Sequence, residues 1–168
     1  MTTQLFALIL FLVFGTTSPP HDVPSPHPFS LTLAVPQAVP NSVRVDVTLT
    51  NISDKDIVVI QCKEPNYDYR VDVQSVGGDK VSETDLARRI KDKSLAVCSS
   101  AWRWVLKPKE AVTDEIVVSD LYRMDTPGQY AIRVSREVPE WMGSKGTVRS
   151  EPVTVTVPRT SGHERVKN

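Results

Sequence analysis

The stretch NSVRVDVTLTN, residues 41–51, constrains the fold more than any other part of the chain. Val43, Val45, Val47 and Leu49 alternate in it with Arg44, Asp46, Thr48 and Thr50. A period of two puts the first set on one face of an extended chain and the second on the other, whereas a helix would scatter both. One dry face and one wet face describe a strand of an antiparallel sheet that needs a second layer to cover it.

The pattern recurs. FSLTLAV places Phe29, Leu31, Leu33 and Val35 on one face. The NISDKD segment is a turn by its Asn, Ser and Asp, and IVVIQC reads as a short buried strand. YDYRVDVQSV alternates through Tyr67, Tyr69, Val71 and Val73 and stops at a GGDK hairpin turn. AWRWVLKP carries a further strand, and EAVTDEIVVSDL puts Val112, Ile116 and Val118 on one side. GTVRSEPVTVTVP ends the series with Val153, Val155 and Val157 inward. Only SETDLARR looks helical, with Ser82 placed to cap it and Asp85 in its first turn. Seven to eight short strands with one short helical turn predict an all-β fold, an immunoglobulin-like antiparallel β-sandwich.

The stretch SDLYRMDTPGQYAIRVSRE, residues 119–137, predicts how the chain crosses between the sheets. Pro127 and Gly128 supply a turn, and Tyr130, Ile132 and Val134 then point inward. A tyrosine at the mouth of such a strand can bury its ring and return its hydroxyl to the backbone it has just left, as in a tyrosine corner. Leu121 and Tyr122 are expected to cover the bottom of the core.

The sandwich is expected over 29–158. Before it, residues 1–18 contain an apolar run from Leu5 to Phe14, too short to cross a bilayer and suited to a secretory signal, although no Lys or Arg precedes it. Residues 19–28 form a Pro-rich spacer, and 159–168 read as a disordered tail. A chain with 20 Lys plus Arg against 20 Asp plus Glu, and no charge run, gives no reason to expect the clustered basic surface that nucleic acid needs, so neither nucleic acid nor, once the signal is cleaved, a membrane is expected as a partner.

Cys62 and Cys98 suggest one disulfide in an exported chain, which would constrain the unfolded state by on the order of 3–4 kcal/mol. Two free thiols are the alternative; a metal site would lack ligands. His21, His27 and His163 lie in the expected spacer and tail, which leaves no histidine for a Ser-His-Asp or Cys-His group. The carboxylate neighbours Asp68 and Asp72, or Asp114 and Glu115, read as residues of a wet strand face rather than a catalytic pair. No catalytic residue and no cofactor is therefore expected. Asn51-Ile52-Ser53 matches the glycosylation acceptor pattern, with a plain turn asparagine as the alternative.

The functional hint is aromatic. Trp141 and Met142 sit in a loop between Pro139 and Gly143, either folded back over the sandwich end or presented to a partner. Trp102 and Trp104 share a strand face and are expected to close the core near Cys98.

The order TLTNISDKDIVVI, YRVDV…GGDKV, WVLKPKEAVTDEIVVSDLYRMDTPGQYAIRVSRE and GTVRSEPVTVTV resembles a β-sandwich domain of many exported, uncharacterised bacterial proteins. It also resembles the immunoglobulin-like pro-region of some deuterolysin-type metallopeptidase precursors, and more distantly the bacterial proteinase-inhibitor sandwich family. The resemblance spans about 125 residues, Leu31 to Val157, and rests on turns and corners, so it implies fold more than activity. The peptidase domain has no counterpart here. Together these readings give the expectation of a secreted or periplasmic, non-catalytic binding or accessory module for a secreted or cell-envelope protein. A proteinase inhibitor, or a separately encoded pro-domain-like chaperone of a secreted peptidase, is the alternative.

Overall fold

The strand at Arg44–Asn51, β2 with β1 at Phe29–Ala34, buries every second residue, so that Val45, Val47 and Leu49 are fully covered. The structure is a computed structural model that describes residues 27–36, 42–92, 98 and 100–158. The expected signal segment, nearly all of the spacer, the tail at 159–168 and most of the loop before Cys98 lie outside the described residues. His27 is described, and its ring lies against Gly146, where a Cβ would come within 2.5 Å of it, so this histidine packs on the domain.

Among the described residues nine strands follow one another: β3 (Ile57–Cys62), β4 (Arg70–Ser75), β5 (Ala101–Leu106), β6 (Ala111–Val117), β7 (Gly128–Val138), β8 (Gly146–Arg149) and β9 (Val153–Val157) complete the set. They pair antiparallel throughout and form the all-β sandwich that the alternation predicts. One sheet has the order β1-β2-β6. The other centres on the 11-residue β7, with β4 along one side and β8 and β9 along the other. β3 and β5 form a separate two-stranded ribbon. Phe29, Leu49 and Ile116 from the first sheet meet Ile132 and Val134 of the second in the fully buried core.

The ninth strand arises because GTVRSEPVTVTVP is two strands. Arg149 pairs with Ser135 and Val153 with Ile132, so three residues, 150–152, oppose two on β7. That extra residue is a β-bulge, placed where Pro152 has no N–H to give. Ser150 fills the gap, its N–H bonding Val134 O at 2.9 Å and its hydroxyl accepting the Val134 N–H at 3.1 Å.

The tyrosine corner is present. Tyr130 is buried, and its hydroxyl donates to Thr126 O at 2.5 Å. Leu121 and Tyr122 are buried as well, and Tyr122 makes a second such bond, to Val71 O. Gly128 differs from expectation. It opens β7 opposite Val157, has no left-handed φ, and leaves open space where a Cβ would go, so the corner does not require glycine there. The helical hint becomes α1 (Asp85–Lys91), capped by Thr84 rather than Ser82. Thr84 Oγ1 accepts the Ala87 N–H and donates to Asp120 O, in the short helix α2 (Val118–Leu121), so the cap also anchors the helix to its neighbour. Val35, expected inward, lies beyond the end of β1 and is exposed.

Asn51 joins the parts. Its side chain is fully buried at the end of β2, donating to Lys55 O (2.7 Å) and Leu106 O (2.8 Å) and accepting from Ser53 N and Ser53 Oγ. Its backbone bonds Glu110 and Lys109, flanking the β5–β6 turn, in which Lys109 holds φ 70°. Both amide hydrogens are committed, so the acceptor pattern at Asn51 offers no nitrogen to a glycan in this fold.

Asn51→Ala removes four side-chain hydrogen bonds at a buried site and unties the turn; the expected loss is roughly 2–4 kcal/mol in denaturant unfolding. Tyr130→Phe removes one hydrogen bond at the corner and is expected to cost about 1 kcal/mol in the same measurement.

Candidate binding surface

Continuing the period of two brings charged residues inside. On β7 the inward phase runs Tyr130, Ile132, Val134, Arg136, Val138, and Arg136 is buried. On β3 the phase Ile57, Val59 ends at the buried Gln61. On β6 Asp114 stands opposite the inward Val47, between Val112 and Ile116. The reading of Asp114 as a wet-face acid is thereby corrected, whereas Glu115 does face water and pairs with Arg44 at 2.7 Å.

These side chains meet beside Tyr69. Asp114 Oδ2 accepts from Gln61 Nε2 at 2.5 Å and from the Tyr69 hydroxyl at 2.9 Å. Arg136 donates to Ile60 O at 2.6 Å and to Tyr69 Oη at 3.3 Å, and its guanidinium lies 5.1 Å from the centre of the Tyr69 ring. Asp68 stands 3.8 Å from Arg136 and accepts the Cys62 N–H at 2.7 Å. Every donor reaches an acceptor on a different element, so the cluster fastens the β3–β5 ribbon to β4, β6 and β7. Burial raises the Tyr69 phenol above its ordinary value, so it holds its proton and keeps donating to Asp114. Burial raises the Asp68 carboxyl too, outweighing the Cys62 N–H and Arg136, with Asp114 adding to the rise. The two acids that meet here are Asp68 and Asp114; Asp72 is exposed.

A disulfide between Cys62 and Cys98, Cα atoms 5.3 Å apart, holds the same end of the ribbon. Lys63 N–H to Ser100 O extends the β3–β5 ladder beside it. The fastened ribbon is unusually apolar outside. Trp102 and Trp104 are 59% and 42% exposed, with ring centres 6.5 Å apart, so they do not close the core as expected. Ile60 and Val105 are exposed on the opposite face, which also corrects the reading of IVVIQC as buried throughout.

Trp141 lies at the same ribbon. It sits in a 3₁₀ turn, Glu140–Met142, closed by Gly143 at φ 78°, and is 60% exposed. Its indole N–H reaches Val58 O at 3.4 Å, which ties the turn to β3 without covering the ring. Beside it is an open groove of about 340 Å³ lined in part by Ile60, Arg70, Ser135, Glu137 and Thr147. An Arg70–Glu137 ion pair at 2.9 Å forms one wall. Met142, paired with Trp141 in the expectation, packs instead against the core.

Among the described residues no three metal-ligating side chains come together, and no helix is long and apolar enough to cross a membrane. The chain matches no protein-family model and no curated protein at significance.

Because the folded state raises the Asp68 value, the fold prefers its protonated form. Its contribution is greatest below the ordinary carboxylate range and is lost as pH rises through the raised value. Denaturant unfolding of wild type and Asp68→Asn over a pH series is expected to show the difference moving in the wild type's favour on acidification; movement the other way would mean that Arg136 outweighs burial at this carboxyl.

Proposed function

We propose that this chain is an exported, non-catalytic binding module, secreted or periplasmic, that engages a protein of that space through the surface around Trp141. The observation that carries the reading is an exposed tryptophan fixed in place. The short turn, Gly143 and the bond to Val58 O hold Trp141, and Pro139 precedes the turn, so little conformational entropy remains to be lost when a partner covers the ring. Large apolar side chains held at a loop tip favour burial against a partner, and tryptophan is enriched among residues that dominate binding energy. The adjoining groove offers both an acid and a base, Glu137 and Arg70, at its margin, which suits a polar rim around an apolar contact. The apolar run Leu5–Phe14 and the Cys62–Cys98 bond support an oxidising destination outside the cytoplasm.

A photo-crosslinking side chain placed at Thr147, beside the groove, is expected to capture one secreted or envelope protein. Trp141→Ala should weaken that complex by at least about tenfold while leaving thermal unfolding unchanged. If the captured protein is a peptidase, inhibition assays distinguish an inhibitor from an accessory module. A complex indifferent to Trp141→Ala removes this surface from the reading.

A further inference from the structure

We propose that β5 is a pairing edge for a second copy of this chain, through an antiparallel β5–β5 ladder with Trp104 on the two-fold axis. The inference rests on the ribbon alone and is independent of the surface at Trp141.

Among the described residues β5 pairs only with β3, and five of its six residues are exposed. The bond from Lys63 N to Ser100 O fixes which backbone groups remain. It makes Lys63 and Ser100 a hydrogen-bonded pair, so by alternation Trp102 and Trp104 also turn their N–H and C=O toward β3. Ala101, Arg103 and Val105 therefore turn theirs outward, as a row of donors and acceptors along an apolar strand.

Other edges in the molecule carry features that discourage pairing. β6 has the inward Asp114 and the exposed Glu115, β4 carries Arg70 and Asp72, and β8 has four residues. Pro28 precedes β1 and Pro36 lies just past it, and Pro152 and Pro158 bracket β9. Within Ala101–Leu106 there is no proline, no lysine and no bulge, the register with β3 is unbroken, and the one charged residue is Arg103.

Self-pairing also has a register that suits it. A two-fold axis perpendicular to the ribbon must bring residues of the same face together. Centring it on Arg103 would set two guanidinium groups opposite each other. Centring it on Trp104 sets Arg103 opposite Val105 of the second copy, two residues whose free backbone groups face outward and can exchange bonds. Trp104 then meets Trp104 of the second copy in a non-hydrogen-bonded position, where side chains approach most closely. Trp102 meets Leu106, which continues the apolar stripe. The result is one four-stranded sheet, β3-β5-β5-β3, that covers the exposed indoles.

Sedimentation equilibrium of the purified chain over a concentration series is expected to give a dimer. Trp104→Lys, which sets like charges on the axis, should weaken it by about tenfold or more. Val105→Glu tests the register with the opposite sign: the introduced carboxylate faces Arg103 of the second copy twice, so the dimer should tighten several-fold, and the gain should fade at high salt. Val105 is exposed, so this variant remains informative even where the change at Trp104 impairs folding. A wild-type chain that stays monomeric, a dimer indifferent to both changes, or a dimer weakened by Val105→Glu overturns the proposal.

Discussion

A single buried amide holds the architecture in register. Asn51 ends the Val43–Leu49 alternation and turns its side chain into the interior. Its four hydrogen-bonding positions are all used, two donated to Lys55 O and Leu106 O and two accepted from Ser53. An interior polar group is tolerable only under that condition, because each missing bond would cost about 1–3 kcal/mol. The valines supply cohesion but cannot choose among registers, since a slip of two residues preserves every dry face. Asn51 distinguishes them: only one register brings the end of β5 and the turn after β2 to the same amide.

The second polar cluster serves a related end at higher electrostatic cost. Removing Arg136 and Asp68 from water is unfavourable, and such pairs seldom add net stability over apolar replacements. What they add is direction. The backbone N–H of Cys62 donates to Asp68, and the carbonyl of Ile60 accepts from Arg136, only if the ribbon lies at one angle to the rest of the sandwich. The ribbon has no third strand among the described residues, and two-stranded pairs alone are marginal in water. Arg136, the Gln61–Asp114 bond and the Cys62–Cys98 bridge hold one end of it and the Asn51–Leu106 bond the other, and that rigidity lets it carry exposed tryptophans without collapsing onto the core.

Much of this was legible in the sequence, and the limits have physical causes. The sandwich, the tyrosine corner and the cysteine pairing follow from period two, from Tyr130 after Pro-Gly, and from an even count of two cysteines. The bulge at Ser150 was signalled by Pro152, which cannot sit mid-ladder, and by the inward phase, which changes parity between Val148 and Val155. Arg136, Gln61 and Asp114 were readable as well. Each falls on the inward phase of its own strand, and taking the phase more seriously than the charge would have placed all three inside. Nothing local marks the exposure of Trp102 and Trp104, because their alternation with Arg103 matches that of a half-buried strand. Whether a face is covered depends on which sheet opposes it, and that is set by β3 leaving the main sheets at Asn51. The helix cap moved from Ser82 to Thr84 because only Thr84 can serve Ala87 N and Asp120 O together.

The placement of charge across the edges gives the surface its meaning. A sandwich of unclosed sheets has several open edges, and each is an invitation to pair with whatever extended chain is nearby. Here Asp114 does two things at once: it anchors Tyr69 and Gln61, and it puts a carboxylate on the inward side of the β6 edge, where an added strand would have to cover it. The same cluster that closes the β6 edge fixes β3, and through β3 it presents β5. Protection of one edge and exposure of another are thus consequences of one set of bonds. An edge left open by oversight would be mobile. This one is paired to a strand that is bridged to Cys98 and fastened through Arg136, and it carries two indoles 6.5 Å apart, which suits a surface that is covered by a partner.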